Sequence, residues 1–370
     1  MNRATYLLLC TVLLALLAGC EQDPEPLMVP DQYDGSNFAA NAATELAVLE
    51  QLSTLTGTIK AGRDASVTVS ATQATVEFNA GNPSLATLAT PYYSGLVSGW
   101  LPEVEAASGK TFTFTEAPSG TGGVAGGYLF DENGLELEQM VEKGLFGAAL
   151  YNHAITLMSG DIDETTADRL VAIFGAQPEF VNSDNGDLHS NADAFMAKYA
   201  ARRDPADGTG LYTSIRDAFI RLQAAAAAGP DYQSDVDAAL ADIQELWEKA
   251  NAATVINYLT TTITRLSAAN PSEDEIGGAM HAYSEAVGFL HGWRTLNTDY
   301  RLITDGQIDQ LLVLMNAPAG ETPTSYLLVT DSFNELGDLQ TAIDELQSIY
   351  GFTDAEVASF ALNQVNAQGR

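Results

Sequence analysis

The chain has 370 residues and carries 16 Lys+Arg against 49 Asp+Glu, a formal net charge of −33 at pH 7. A surface of that sign cannot neutralise phosphates, which excludes an electrostatic grip on nucleic acid. With 46% hydrophobic residues, the chain can bury one large core or two ordinary ones.

Arg3 precedes an apolar run from Tyr6 to Leu17 that closes in Leu17-Ala18-Gly19-Cys20. The run is too short to span a bilayer, so residues 1–19 read as a signal peptide. A cysteine directly after Leu-Ala-Gly resembles the bacterial lipobox, which implies that Cys20 becomes the lipidated first residue of the mature protein. Cys10, the other cysteine, lies in the leader, so disulfides, zinc ribbons and iron–sulfur clusters are excluded from the mature chain. Residues 20–33, with Pro24, Pro26 and Pro30 among acidic residues, read as an acidic tether. Glu21 and Asp23 fit an acidic export signal of surface lipoproteins and a generic acidic linker equally well. No later segment approaches the ~18 uninterrupted apolar residues of a membrane span.

The main domain, residues 34–370, opens with a helical pattern from Phe38 to about Lys60, with Leu46, Leu49, Leu52 and Leu55 near one side. Val67 to Phe78 alternates with Thr and Ser, which predicts an irregular or short-strand excursion rather than a helix. Ser119 to Gly127 is glycine-rich but lacks the Lys-Ser/Thr pair of a P-loop, and reads as a flexible surface loop. Leu135 to Met158 is one long amphipathic segment, and Ala167 to Phe174 part of a shorter one. In the polar loop Asn182 to Ser190, Asp184 and Asp187, with Asp193 beyond, miss the spacing of a calcium loop.

Helices are predicted over Ala192–Arg203, Thr213–Ala228 and Tyr232–Ser267, with a bundle boundary near 204–210. In the third, Val236, Leu240, Ile243, Trp247, Ala250, Thr254 and Asn257 alternate steps of four and three, the seam of a packed helix. Ser272 and Glu275 form a capping box for the next helix, whose core seam is Ile276, Met280, Tyr283, Val287 and Leu290. Further helices fall near Gln307–Met315, Asp331–Tyr350 and Asp354–Asn363. Long helices with short links predict an all-α fold of helical bundles, with one glycine-rich excursion in the N-terminal half.

Beside the core seam of the Ser272 helix runs a second line: Gly277, His281, Ser284, Gly288 and His291. Glycine costs about 1 kcal/mol relative to alanine inside a helix, so its presence there asks for close approach of a backbone or a ligand. His281 and Glu285, four apart, project from one face and can share a metal or a proton. Core packing with the histidine bonded to a neighbouring helix explains the line about as well. On the Leu135 helix a second polar line holds Gln139, Glu142, Phe146, Ala149 and His153; Glu142 is expected on a solvent face, Gln139 and His153 at a site. The two helices bearing Trp247 and His281 are expected side by side, with Asn257, His281, Ser284 and Glu285 facing a shared polar cavity.

Gly134-Leu135-Glu136-Leu137-Glu138-Gln139 with Glu142-Lys143-Gly144-Leu145-Phe146-Gly147-Ala148, then Trp247-Glu248-Lys249 running into Ile256-Asn257-Tyr258-Leu259, then His281-Ala282-Tyr283-Ser284-Glu285 with Gly288-Phe289, form three ordered blocks. Together they resemble the imelysin-like bacterial lipoprotein family catalogued as domain of unknown function 4856. The resemblance implies two packed helical bundles, export to the cell envelope, and a link to iron or haem acquisition. Relatives carry a Gly-x-His-x-x-Glu motif once read as metallopeptidase. This chain departs from it: Gly278-Ala279-Met280 precedes His281, and Glu285 stands four residues on rather than three. Asn257 stands where the second block leads one to expect histidine.

The reading is a lipid-anchored exported binding protein, in the outer membrane on its periplasmic or surface face, whose ligand or partner is a small molecule, haem or iron, or an envelope protein. Its ligand-binding residues are Gln139, His153, Asn257, His281, Ser284 and Glu285. The alternative is a metal-dependent hydrolase with His281 as metal ligand and Glu285 as ligand or base, and a third reading is a structural lipoprotein with no small-molecule site. A zinc hydrolase needs three protein ligands and an open position, a set hard to assemble with four histidines in the chain. The scattered carboxylates suit a surface screened by high salt. Cys20→Ser should release the protein from the membrane fraction of lysed cells; unchanged membrane association would contradict the lipid anchor.

Overall fold

A computed structural model describes residues 25–115 and 120–370. The leader, Cys20, Glu21, Asp23 and Ser119 lie outside the described residues. Residues 25–33 are mostly exposed, as a tether requires, but Leu27 packs against the core and Tyr33 is buried with its hydroxyl donating to Asp168. No helix among the described residues is long and apolar enough to cross a membrane.

After a short helix at Phe38–Asn41, α1 spans Ala43–Lys60 and ends in a 3-10 turn, Ala61–Arg63. The segment expected to be irregular instead forms α2, Ala71–Phe78. Ser70 caps it by accepting from the Gln73 N–H, and Ala71, Ala74 and Phe78 bury one face. Thr72, Thr75 and Val76 occupy the exposed side, and their β-branched alternation masks the helical period. Helix α3 follows at Pro91–Ala107.

The glycine-rich stretch is a hairpin rather than a flexible surface loop. Strands β1, Gly123–Ala125, and β2, Tyr128–Phe130, pair antiparallel with Ala125 opposite Tyr128. Gly126 and Gly127 both take positive φ, +52° and +82°, the requirement of a two-residue type I′ turn.

Helix α4 runs over Leu137–Leu145, widens into a π-helical turn at Phe146–Tyr151 and continues over Asn152–Met158, as the single long segment anticipates. Then come α5, Glu164–Phe174; α6, Phe195–Arg203; α7, Leu211–Ala228; α8, Gln233–Leu266; α9, Glu273–His291; α10, Asp305–Leu314; α11, Ser332–Tyr350; and α12, Asp354–Phe360. The fold is all-α apart from the hairpin. Helix α8, 34 residues long, is the spine, and α6, α7, α9 and α11 pack around it. Every residue of its anticipated seam, Val236 to Asn257, is buried. The Ser272–Glu275 capping box forms as read. Loop 204–210 joins α6 to α7, with the buried Asp204 accepting from the Ala206 and Thr213 N–H groups. The buried apolar side chains form one cluster from Tyr33 to Val365.

Glycine sets how closely α9 meets its neighbours. A Cβ at Gly277 would stand 2.7 Å from the Gly126 Cα of the hairpin turn, and one at Gly288 would stand 2.6 Å from the Gln139 carbonyl oxygen. One at Gly292, at the end of α9, would collide with the Gly144 carbonyl. The glycine line beside the core seam therefore admits neighbouring backbone. Gly288→Ala should cost about 1–3 kcal/mol through overpacking. Gly99→Ala in α3, whose added Cβ meets nothing within 4 Å, should instead gain about 1 kcal/mol. Urea unfolding of the two variants checks the contrast; equal effects would contradict the close crossing.

Candidate functional site: a buried ionic cluster

The first turn of α4 delivers Glu136 and Glu138, both buried, to the base of α9. Arg63, from the 3-10 turn after α1, answers them. Its Nε donates to Glu136 Oε1 at 2.8 Å and its Nη2 to Glu138 Oε2 at 2.6 Å. His281 on α9 completes the group, with Nδ1 2.6 Å from Glu136 Oε2 and Nε2 3.5 Å from Glu285 Oε2. Tyr128 of β2 stacks on the His281 ring at 4.3 Å, and Arg63 lies over the same tyrosine. Gly126 permits this placement, because only a bare turn can sit on Gly277 one helical turn before His281.

One turn further along α4, Lys143 is buried and pairs with Glu142 at 2.7 Å and with Glu285 at 3.5 Å. Tyr199 of α6 donates to Glu285 Oε1. Ser284 ties the two helices at their backbones: its hydroxyl donates to the Met280 carbonyl and accepts from the Glu136 N–H. Gln139 donates to Glu138 Oε2 at 2.5 Å. Inside the cluster, Gln139 Oε1 is buried without a hydrogen-bond partner, while a protonated Glu138 can donate to Glu142. Unpaired buried acceptors are costly and uncommon in a folded chain.

Electrostatics divide the carboxylates. Burial, reinforced by Glu136 and Glu142, pushes the Glu138 carboxyl well above the usual range. Burial works the same way on Glu142, but the Lys143 ammonium outweighs it and holds that carboxyl low. Burial opposes charge on Lys143 and Arg63 as well. Glu142 and Glu285 outweigh it for the lysine, Glu136 and Glu138 for the arginine, so both are held more firmly charged than in water. Two neighbouring carboxyls with opposite shifts leave one group disposed to hold a proton and the other to stay ionised.

Of the six residues read as ligand-binding, the structure brings together Gln139, His281, Ser284 and Glu285. His153 lies elsewhere, buried with its Nε2 2.8 Å from Glu45, which also receives Arg169. Asn257 donates to the Phe360 carbonyl, which Arg203 also reaches, rather than facing His281 across a shared cavity. Glu142 is a correction in the other direction: its side chain is 25% exposed and paired with Lys143, not on a solvent face. Sequence reasoning missed Arg63, Tyr128 and Lys143 as members. Glu136, Glu138 and Lys143 were visible only inside the first motif block, with no periodic signal marking them.

As a metal centre the donor set does not fit. Both nitrogens of His281 already face carboxylates, and no group of three His, Cys, Asp or Glu among the described residues is placed to hold a metal ion. A catalytic zinc site needs three protein ligands and an open position. In the polar loop, Asp184 pairs with Arg202, while the buried Asp193 accepts from the Ser183 N–H and the Tyr212 hydroxyl.

Residues 177–353 match the model of a family described as a domain of unknown function. The match takes in His281, Ser284 and Glu285 but begins after Glu136 to Lys143, so the cluster is built from both sides of its boundary. No curated protein and no solved structure matches this chain. Over residues 177–353, just under half of its length, the chain is thus similar to this domain of unknown function, DUF4856.

Proposed function

We propose that the chain is an exported, lipid-anchored binding protein and that its cargo engages the ionic cluster between α4 and α9. The observation that carries the reading is the buried pair Glu138 and Gln139, of which Gln139 Oε1 accepts no hydrogen bond and Glu138 carries the raised carboxyl. They lie beneath side chains that reach solvent: Arg63 at 17% exposure, His281 at 21% and Glu142 at 25%. Leu17-Ala18-Gly19-Cys20 supports the lipid anchor, and an outer-membrane address in the cell envelope follows from that anchor and the family resemblance.

The imelysin-like resemblance supplies the finer part, a role in iron or haem acquisition. Carboxylate and amide oxygens are hard donors suited to ferric species. Because no three of them among the described residues converge as a cage, the cargo is a chelate whose own ligands hold the iron, recognised at its periphery. The alternative reading, a hydrolase with His281 and Glu285 on zinc, asks His281 to give up one carboxylate partner and find a third ligand.

Titration of the chain from residue 25 onward with ferric citrate, haemin and zinc chloride separates the readings. Saturable binding of one ferric chelate is expected, weakened about tenfold or more (about 1.4 kcal/mol) by His281→Ala, measured at a temperature where the variant is still folded. A stoichiometric zinc that His281→Ala removes would favour the hydrolase instead.

A further inference from the structure

One pocket shares no residue with the ionic cluster. It is a cavity of about 360 Å³ between α3, α4, α9 and the segment after α10. Trp100 and Met140 form part of its apolar wall, and Glu103, Asp131 and Glu321 its carboxylates. Among the described residues, no lysine or arginine lines it.

His291 lines the same cavity and is 6% exposed. Its Nε2 lies 2.9 Å from the hydroxyl of Tyr92, a residue outside the lining, while Nδ1 is buried without any hydrogen-bond partner. Burial, helped by Arg294, lowers the imidazole to about 4, so the ring is neutral at pH 7 and one nitrogen is free to accept. Burial also raises Asp131, to about 6, and Glu103, the latter aided by Glu132.

We propose that this cavity binds a small organic ammonium, with its apolar body against Trp100 and Met140 and its cationic group among Glu103, Asp131, Glu321 and Nδ1 of His291. Three carboxylates lining one pocket without a basic residue favour a positive charge, and the Trp100 and Met140 wall accommodates an apolar body. A neutral imidazole satisfies its unpaired nitrogen by accepting from an ammonium N–H once the Nε2 proton is shared with Tyr92. An anion would meet three carboxylates with no counter-charge, which excludes that class.

The test is calorimetric titration at pH 7.5 of the chain from residue 25 onward with benzylamine, benzyl alcohol and benzoate, three probes of one shape and different charge. Benzylamine should bind saturably, and at least tenfold more tightly than the other two. Glu103→Gln, at an exposed position on the rim, should weaken benzylamine at least fivefold without changing the melting temperature. His291→Phe, which keeps an aromatic ring but removes both nitrogens, should weaken it further. Benzyl alcohol binding as tightly as benzylamine, benzylamine failing to bind, or Glu103→Gln leaving its affinity unchanged would overturn the assignment. Ferric citrate or haemin binding at the ionic cluster is read separately through His281→Ala, so failure of either site is distinguishable from failure of the other.

Discussion

Two glutamates on the first turn of α4 are almost fully withdrawn from water, and the fold depends on what compensates them. Glu136 and Glu138 are 0% and 2% exposed, and removing a carboxylate from water costs several kcal/mol unless a cation and hydrogen bonds replace the lost hydration. Arg63 supplies that cation through two side-chain bonds of 2.6–2.8 Å. Because the guanidinium comes from the turn after α1 and its partners from α4, the interaction fixes the N-terminal helices onto the central α8–α9 pair. His281 and Tyr128 stack into the same arrangement, which draws in the hairpin. The chain has only 16 Lys+Arg, and Arg63, Lys143, Lys198 and Arg202 gather around this one region. With four of the scarce cations gathered here, the remaining surface is still more dominated by carboxylates.

Close backbone approach makes the cluster possible. Gly277 against Gly126, Gly288 against Gln139 and Gly292 against Gly144 let α9 lie nearer to the hairpin and to α4 than side chains would allow. At that separation the short Ser284 side chain can accept from the Glu136 N–H, and the His281 ring spans from Glu136 to Glu285. The ionic chemistry and the glycine spacing are thus one device. A long side chain at any of these glycines would push the helices apart and lengthen the charge contacts. Glu248 does similar work on the far side of α8, where its buried carboxylate accepts from the Leu302 and Ile303 N–H groups and the Tyr350 hydroxyl.

Much of this was legible in the sequence wherever one helix face carried the signal. The α8 seam, the Ser272–Glu275 cap and the second line on α9 follow from steps of three and four, and that line led to His281, Ser284 and Glu285. Gln139 was reachable through its polar line on α4. What stayed hidden depended on distant partners. Arg63 sits in a 3-10 turn 218 residues from His281, with no periodicity to connect them. The hairpin was read as a flexible loop because glycine signals freedom locally, while its conformation here is set by contact with Gly277. Helix α2 was lost to its β-branched exposed face. Asn257 was drawn into the site by its place on a buried seam, yet a helix of 34 residues presents several neighbours along its length, and the Phe360 carbonyl is the one it meets.

The central claim is that Arg63 makes the burial of Glu136 and Glu138 tolerable, and the pH dependence of Arg63→Met tests it most directly. With the guanidinium gone, the Glu138 carboxyl, which burial already raises despite Arg63, should titrate higher still in the folded state and further above its value in the unfolded chain. The folded form then binds more protons, and stability declines as pH rises through that interval. Equilibrium urea unfolding of wild type and variant from pH 4.5 to 8 should show a loss of about 3–5 kcal/mol near pH 7 that shrinks steadily toward pH 4.5. A loss of the same size at every pH would mean that Arg63 contributes packing alone, and would contradict the account.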